Sequence, residues 1–432
     1  MTDAAPRLHA LVEQLLGVPL PVRIRAWDGS QAGPPDAPSL VVRNRRALRR
    51  LLFKPGELGL ARAWVAGDLE IEGDLFLTLD LLSGLIWERD EDARTLGQAL
   101  RDPQFRTAVG GLLKLAGPPL PPAPPPEEVR RTRHLHTRRT DRRAISHHYD
   151  VGNDFYEIVL GPSMVYSCAY WPHPDAGLEE AQRDKLELVC RKLALTPGQR
   201  LLDVGCGWGS MAVHAAREHG VRVVGITLSQ EQAAYARKRV ADAGLTDRVE
   251  IRVQDYRDVG DGPYEAISSI GMAEHVGAER YLDYATDLYE LLAPGGRLLN
   301  HQISRRPQRD ESTYHLDGFI DSYVFPDGEL APVGTTVTQL ERAGFEVRDV
   351  ESIREHYALT LRHWVARLED DWQRAVRLTG PGRARVWRLY MAACAVGFAR
   401  NRIGVNQVLA VRTPESGGSG MPLRARTWTE NA

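Results

Sequence analysis

The chain has 432 residues, of which 43% are hydrophobic and 26% are charged, and its formal net charge is −2. These values are typical of soluble globular proteins and argue against disordered and fibrous ones. A chain so close to neutral is no polyanion binder as a whole, but arginine is unevenly distributed, so attraction to an anionic surface must be local.

Neither a membrane span nor a secretory signal is evident. No run approaches roughly 18 consecutive apolar residues, and the start MTDAAPRLHALVEQ lacks a basic stretch followed by an apolar one. The cysteines form no C-x-x-C pair, which argues against a zinc site and a disulfide framework. We therefore expect a cytoplasmic protein with reduced thiols and no metal.

A proline-rich segment, GPPLPPAPPP, divides the chain at 117–126 and predicts an extended spacer. Before it, VRIRAW and SLVVR predict short strands, and RRALRRLLF predicts a helix with one apolar side. The length favours two domains. We expect a small mixed N-terminal domain at 1–116, a linker with a basic segment at 117–145, a second domain at 146–412 and a flexible tail at 413–432.

The basic segment, EEVRRTRHLHTRRTDRR, follows the prolines directly. Two interpretations stay open, a solvated helix face and a patch that meets lipid phosphates. In the second, each cation near an anionic membrane contributes about 1 kcal/mol. Nucleic acid has no companion motif in the sequence, so we expect none as a partner.

From Leu201 onward, apolar runs alternate with helical stretches. The runs are RLLDVG, VRVVGI, RVEIRV, YEAISSI and RLLNHQI, and the stretches include SQEQAAYARKRVADAG and ERYLDYATDLYELL. Such alternation predicts an α/β domain in which a parallel sheet carries helices on both faces. A ligand then binds at the carboxyl ends of the strands, near the first β-to-α turn.

That first turn is glycine-rich. The string LLDVGCGWGS contains Gly205, Gly207 and Gly209, which permit positive φ and close approach of the backbone to a ligand. Its spacing differs from both the triphosphate loop and G-x-G-x-x-G. Asp203 inside the motif suits a cationic or amine-bearing ligand better than a pyrophosphate.

The motif resembles that of the Rossmann-like, seven-strand class I methyltransferases, and the resemblance implies S-adenosylmethionine as cofactor. Many such enzymes hold the ribose with an acid after the second strand, which this chain lacks. Its string VGITLSQEQ instead resembles the cyclopropane fatty acid synthase family, where Thr227, Leu228 and Gln232 replace the acid. QDYRD resembles the same family's adenine-contacting segment and implies Asp255 and Tyr256 as ligands.

Further strings in the same order extend this resemblance from Ile145 to about Arg412. They are HHYDVGNDFY, MVYSCAYW, SIGMAEHVG, NHQIS, SYVFPDGEL, HYALTLRHW and LYMAACAVGF. The N-terminal GELGLARAWVAGDLEIEGDL resembles the extra domain of the phospholipid-acting members, which the mycolic acid cyclopropane synthases lack. The resemblance therefore implies a phospholipid substrate.

The family's active site, which surrounds a bicarbonate ion, implies a catalytic set in this chain. The set is Cys168, Glu274, His301, Ile303 and Tyr390. Tyr166 and Ser167, beside Cys168, resemble the residues that reach the methionine end of the cofactor. Asp203, Gly205 and Gly207 are further expected cofactor ligands. Taken alone, cysteine and tyrosine side chains are more often core residues, whereas a carboxylate is costly to bury unpaired.

The implied reaction is methylation of a cis double bond in a phospholipid acyl chain, with bicarbonate assisting proton loss and a cyclopropane as product. Ala273, Asn300 and Gln302 depart from the family near the site, so a 10-methylene-branched product stays open. Two further alternatives are a small soluble substrate and a non-catalytic lipid-binding protein. We expect peripheral association with the anionic inner face of the membrane, and homo-oligomer formation is left open.

Overall fold

The computed structural model describes residues 3–87, 102–118, 120–129, 151–311, 314, 318–325, 328–424 and 426. Within these ranges, no helix combines the length and the apolar character needed to cross a bilayer. The arginines of the basic segment, among them Arg130, Arg131, Arg138 and Arg139, lie outside the described residues, whereas the first three residues of the segment, 127–129, are described. The chain forms two compact units, and each is treated separately below.

The first unit is built around a four-stranded sheet in the order β2-β1-β3-β4. β1 pairs parallel with β3, and the two outer pairings are antiparallel. The strands are β1 (Arg23–Arg25), β2 (Gln31–Ala32), β3 (Ser39–Val42) and β4 (Leu69–Glu72). The helices are α1 (Ala4–Leu16), α2 (Arg46–Phe53), α3 (Glu57–Val65), α4 (Leu75–Trp87) and α5 (Pro103–Ala116).

Two segments from later in the chain also belong to this unit, Asp317–Val324 and Thr379–Val396. The sequence boundaries assigned both to the second domain. Contacts within the unit explain why the second segment belongs to it. The Arg385 guanidinium donates to the carbonyls of Trp64 and Leu69 at 2.6 and 2.7 Å. In return the Trp64 indole donates to the Arg385 carbonyl at 2.9 Å.

The second unit contains a seven-stranded sheet in the order β10-β11-β9-β8-β5-β6-β7. The five strands from β9 to β7 run parallel, and β11 is antiparallel to both of its neighbours. The strands are β5 (Arg200–Val204), β6 (Arg222–Thr227), β7 (Val249–Val253), β8 (Tyr264–Ile270), β9 (Leu292–Arg305), β10 (Glu346–Ser352) and β11 (Ile403–Val411).

Ten α-helices follow α5 in the described chain, besides three single-turn 3-10 helices at Tyr256–Asp258, Ala273–His275 and Ala278–Arg280. The α-helices are α6 (Asn153–Leu160), α7 (Leu178–Leu193), α8 (Ser210–His219), α9 (Gln230–Asp242), α10 (Tyr281–Leu291), α11 (Gly318–Tyr323), α12 (Val333–Arg342), α13 (Arg354–Asp370), α14 (Trp372–Thr379) and α15 (Pro381–Ala399). Two separate clusters of buried apolar residues pack in the second unit. Small and aliphatic side chains dominate one cluster, and the other also contains four tyrosines and a phenylalanine.

The predicted fold class is confirmed. Each apolar run from RLLDVG to RLLNHQI forms a strand of the seven-stranded sheet, and both quoted helical stretches form helices, α9 and α10. Strands that are covered by helices on both faces consist of continuous apolar runs, so they can be recognised in the sequence. The described prolines of 117–126 lie outside any helix or strand, as expected from their missing donors.

Candidate active site

A cavity of about 1200 Å³, including its open mouth, lies in the second unit. Residues at the carboxyl ends of β5, β6 and β8 line it, which is where a parallel sheet of this type binds ligands. All ten residues predicted to bind the cofactor are in its lining: Tyr166, Ser167, Asp203, Gly205, Gly207, Thr227, Leu228, Gln232, Asp255 and Tyr256.

The glycine loop joins β5 to α8 at the cavity. Gly205, Gly207 and Gly209 all have positive φ, at +76°, +54° and +81°, which side-chain-bearing residues rarely adopt. A Cβ on Gly209 would lie 3.0 Å from the Cβ of Ala236. The carbonyl of Ile226 accepts the N–H groups of Gly205 and Cys206 at 3.0 and 2.9 Å, which fixes the loop against β6.

Asp203 is 2% exposed at the end of β5. Its Oδ1 accepts a hydrogen bond from the Ser268 hydroxyl at 2.8 Å, whereas its buried Oδ2 has no partner among the described residues. Burial raises the pKa of this carboxyl to about 6, although Ser268 and Lys185 act in the opposite direction. A buried acceptor of this kind fits a cationic or amine-bearing ligand.

Lys185 is a cavity residue that the sequence analysis missed. It is 1% exposed on α7, and its Nζ donates to the Ser167 hydroxyl at 2.8 Å. Burial lowers its pKa to about 8, opposed by Cys168 and Asp203. The sequence did contain a signal for its burial. Lys185 lies four residues after Ala181 and three before Leu188, so it falls on the apolar face that a surface helix buries.

The end of β6 and the turn that follows it supply neutral polar groups beside the cavity. The Thr227 hydroxyl donates to Gln232 Oε1 at 2.9 Å, and the Ser229 hydroxyl accepts the Gln232 N–H at 3.2 Å as the N-cap of α9. Thr227 and Gln232 are both buried. The arrangement holds the Gln232 side chain in a fixed orientation beside the cavity.

Asp255 and Tyr256 follow β7. The Arg257 guanidinium binds both carboxylate oxygens of Asp255, at 2.8 and 2.6 Å. The Tyr256 ring packs edge-on against Tyr284, with 5.0 Å between centroids. Both residues line the cavity, while their predicted contact with adenine stays a prediction.

Glu274 and Ile303, two members of the predicted catalytic set, are in direct contact. β8 ends at Ile270, which pairs with His301 on β9, so the N–H of Ile303 lies beyond the end of β8. Glu274 Oε1 accepts this N–H at 2.7 Å. Its Oε2 is buried and has no partner within the described chain. Burial raises the pKa of this carboxyl to about 7, opposed by the hydrogen bond from Ile303.

His301 lies two residues before Ile303 on β9 and is 2% exposed. Its Nδ1 lies 3.3 Å from Gln407 Nε2 on β11, whereas Nε2 is buried without a partner among the residues that the structure describes. Burial holds the pKa of this imidazole well below its usual value, and Lys185 and Lys192 act in the same direction. The ring is therefore neutral.

Cys168 is fully buried in the second unit, where its Sγ lies 3.6 Å from the Ile353 carbonyl. Burial raises the pKa of its thiol well above the ordinary value, so it remains protonated. Tyr390 lies on α15 in the first unit, with its ring edge-on to Trp387. The catalytic roles of both residues stay predictions.

A cluster of ligand-type side chains on α7 and α8 was not foreseen. Cys190 Sγ and ring nitrogens of His214 and His219 lie within 4.8 Å of one another. Both imidazoles already contact one oxygen of Glu187, at 3.2 and 3.0 Å. Hydrogen bonds to this carboxylate therefore account for the arrangement without an ion.

Comparisons with known proteins agree with this geometry. The family model described as mycolic acid cyclopropane synthetase matches residues 136–408. A probable fatty acid methyltransferase of Mycobacterium tuberculosis is 46% identical over 415 residues, covering 94% of each chain. The cyclopropane-fatty-acyl-phospholipid synthase of Escherichia coli K12 is 37% identical over 270 residues, which are 62% of this chain and 68% of that one.

Solved structures give the same result. A crystal structure of a mycolic acid cyclopropane synthase complexed with SAH and CTAB is 33% identical, with a TM-score of 0.59. It covers 62% of this chain and 97% of that one. The sheet, the cofactor cavity and these similarities together lead to one conclusion: the chain belongs to the mycolic acid cyclopropane synthetase family of S-adenosylmethionine-dependent methyltransferases.

Proposed function

We propose that the protein methylates the cis double bond of an unsaturated phospholipid acyl chain and converts it to a cyclopropane. The observation that carries this proposal is the Glu274 carboxylate, which is buried two residues after Met272 of the cavity lining. One of its oxygens is fixed by Ile303, and the other has no partner among the described residues. Relatives named as acting on fatty acyl substrates support the choice of substrate.

The chemistry explains why such a buried polar group is needed. S-adenosylmethionine, when bound, supplies an electrophilic methyl group, and its addition to an alkene leaves a carbocation that must lose a proton. A side-chain carboxylate facing that cation would risk forming a covalent ester. Oε1 of Glu274 is instead held by a backbone N–H, which keeps this oxygen engaged in a hydrogen bond.

Bicarbonate fits the residues present. Glu274 Oε2 and His301 Nε2 are both buried polar atoms without partners in the described chain, and each such atom is costly unless something hydrogen-bonds to it. A small anion with both donor and acceptor oxygens satisfies this need. When bound, it supplies a base that can take the proton and leave, while Glu274 and His301 hold it in place.

A methylene-branched product is the second candidate. It needs the same methyl transfer, followed by a 1,2-hydride shift that moves the cation to the methyl-bearing carbon. Proton loss from the new methyl group then forms an exocyclic double bond instead of a ring. Two relatives favour it, the probable fatty acid methyltransferase and a tuberculostearic acid methyltransferase of Mycobacterium tuberculosis, 33% identical over 91% of this chain and 88% of that one.

NMR of the product separates the candidates. Purified protein is incubated with S-adenosylmethionine and vesicles of monounsaturated phospholipid, and proton spectra of the extracted acyl chains are recorded. We expect cyclopropane methylene signals at high field. Exocyclic methylene signals would establish the second candidate instead, and an unchanged alkene would leave only a soluble substrate or a non-catalytic lipid-binding role.

We further propose that the protein acts as a peripheral protein on an anionic membrane, through the basic segment. Reversing Arg130, Arg131, Arg138 and Arg139 to Glu should weaken association with anionic vesicles and leave cofactor affinity unchanged. The difference should shrink as salt rises, because exposed charges are screened over about 8 Å at physiological ionic strength. Sedimentation at two salt concentrations measures it, and equal sedimentation of variant and parent at both would assign the segment to structure alone.

A further inference from the structure

Gln407 connects His301 to a buried lysine. Gln407 and His301 are directly opposite each other in the antiparallel pairing of β11 and β9. The amide of Gln407 lies between two polar partners, with Oε1 2.8 Å from Lys192 Nζ and Nε2 3.3 Å from His301 Nδ1. Lys192, Gln407 and His301 are each no more than 2% exposed, so water does not compete for these contacts.

Lys192 determines which way the amide faces. An ammonium group can only donate, so the partner that it meets on Gln407 must be the carbonyl oxygen. Lys192 is itself held in place by an ion pair with Glu351, and Asp349 Oδ2 lies 3.9 Å away. With Oε1 fixed on the lysine, the NH₂ of Gln407 is the group that faces His301.

The orientation of the amide in turn determines the tautomer of His301. A neutral imidazole carries one proton, and the nitrogen that accepts a hydrogen bond cannot carry it. Gln407 Nε2 donates to Nδ1, so the proton is on Nε2. That nitrogen is the buried atom of His301 that lacks a partner among the described side chains and backbone.

We propose that Gln407, anchored by Lys192, is a positioning residue that fixes His301 as a hydrogen-bond donor through Nε2–H. In this tautomer His301 holds an oxygen of the bound anion and cannot itself accept the substrate proton. The role at the anion rests on the proposed function, whereas the tautomer itself does not.

The tautomer is measured directly by ¹⁵N NMR of histidine-labelled protein saturated with S-adenosylhomocysteine, without lipid. Long-range ¹H–¹⁵N correlations distinguish the two neutral tautomers from the imidazolium, and the His301→Gln variant assigns the signals among the 13 histidines. We expect the Nε2–H tautomer at pH 8. The Nδ1–H tautomer or an imidazolium would overturn the proposal, whatever reaction the enzyme catalyses.

Gln407→Glu tests the positioning role at nearly constant size. A carboxylate only accepts, so it should draw the proton of His301 to Nδ1 and leave Nε2 as an acceptor. Turnover on unsaturated phospholipid should fall about 100-fold, as for loss of one oriented catalytic group, with the affinity for S-adenosylmethionine unchanged. Full turnover, or the neutral Nε2–H tautomer in the variant, would contradict the role.

Two further variants keep the test decisive if Gln407→Glu folds poorly. Lys192→Met removes the donor that fixes the amide, so both tautomers of His301 should appear and turnover should fall several-fold. An unchanged tautomer with full turnover would show that Lys192 does not anchor Gln407. Asn406→Asp is the control, because it makes the same amide-to-acid change at the neighbouring residue of β11, where Asn406 donates to Ser304 at 2.7 Å. His301 should keep the parent's tautomer in this variant. If the parent modifies no lipid, the proposed function fails while the tautomer result still stands.

Discussion

Glu274→Gln is expected to lower turnover on unsaturated phospholipid by about 100-fold to 10,000-fold, the usual cost of losing one oriented catalytic group. The amide oxygen can still accept the Ile303 N–H, so the local backbone should stay in place. The atom that replaces Oε2, however, changes from an acceptor to an NH₂ donor. A bound anion would then meet a donor where it needs an acceptor for its own proton.

The effect on cofactor binding should be small, because Glu274 is absent from the cavity lining given by the described residues. If Glu274 acts through bicarbonate, raising the bicarbonate concentration should restore part of the variant's turnover. If Glu274 were a direct general base, added bicarbonate would restore nothing. Turnover is therefore measured for parent and variant in bicarbonate-depleted and bicarbonate-supplemented buffer.

Glu329→Gln is the matched control. Glu329 makes the same kind of contact nearby, since its carboxylate accepts the N–H of Ala278 at 2.9 Å, and its backbone N–H donates to the Glu274 carbonyl. It should retain turnover near that of the parent. A fully active Glu274→Gln would remove this residue from the site, and a parent indifferent to bicarbonate would overturn the role of the anion.

Gly205→Val is expected to abolish binding of S-adenosylmethionine. Gly205 has a φ of +76°, and a Cβ there would lie 3.4 Å from Met272 Cβ at the wall of the cavity. A β-branched side chain both strains this backbone conformation and takes space beside the ligand. Calorimetric titration should show heat of binding for the parent and none for the variant.

Gly198→Val is the control that separates the effect of backbone strain from the loss of cofactor binding. Gly198 also has a positive φ, +89°, and no atom within 4 Å of the position of its Cβ, and it is not part of the described cavity lining. Gly198→Val should therefore lose stability comparably but keep cofactor affinity. Affinity equal to the parent's in a folded Gly205→Val would mean that the cofactor binds elsewhere.

The residues of the cofactor cavity could be predicted because local patterns place them. A buried parallel strand, a glycine turn and a helix determine where Asp203 and Gly205 lie, whereas Gln232 and Asp255 were implied by the resemblance of the strings after β6 and β7 to those of a known family. In a parallel sheet the carboxyl ends of neighbouring strands meet at one edge. All ten predicted cofactor residues consequently line one cavity.

Contacts between segments that are distant in the chain could not be predicted from the sequence. Lys192 and Gln407 are separated by 215 positions, and the sequence pattern of α7 does not reveal the acceptor that the lysine meets. The position of 379–396 in the first unit likewise depends on contacts of Arg385 with Trp64, 321 positions away.

Transfer of the cofactor's methyl carbon into a lipid tests the central claim most directly. Purified protein is incubated with S-adenosylmethionine carrying ¹³C in its methyl group and with vesicles of a monounsaturated phospholipid, and the extracted acyl chains are examined by ¹³C NMR. We predict label in a ring methylene carbon attached to the two former alkene carbons, from the parent but not from Gly205→Val. Acyl chains without any label, from a folded protein that binds the cofactor, would contradict the account.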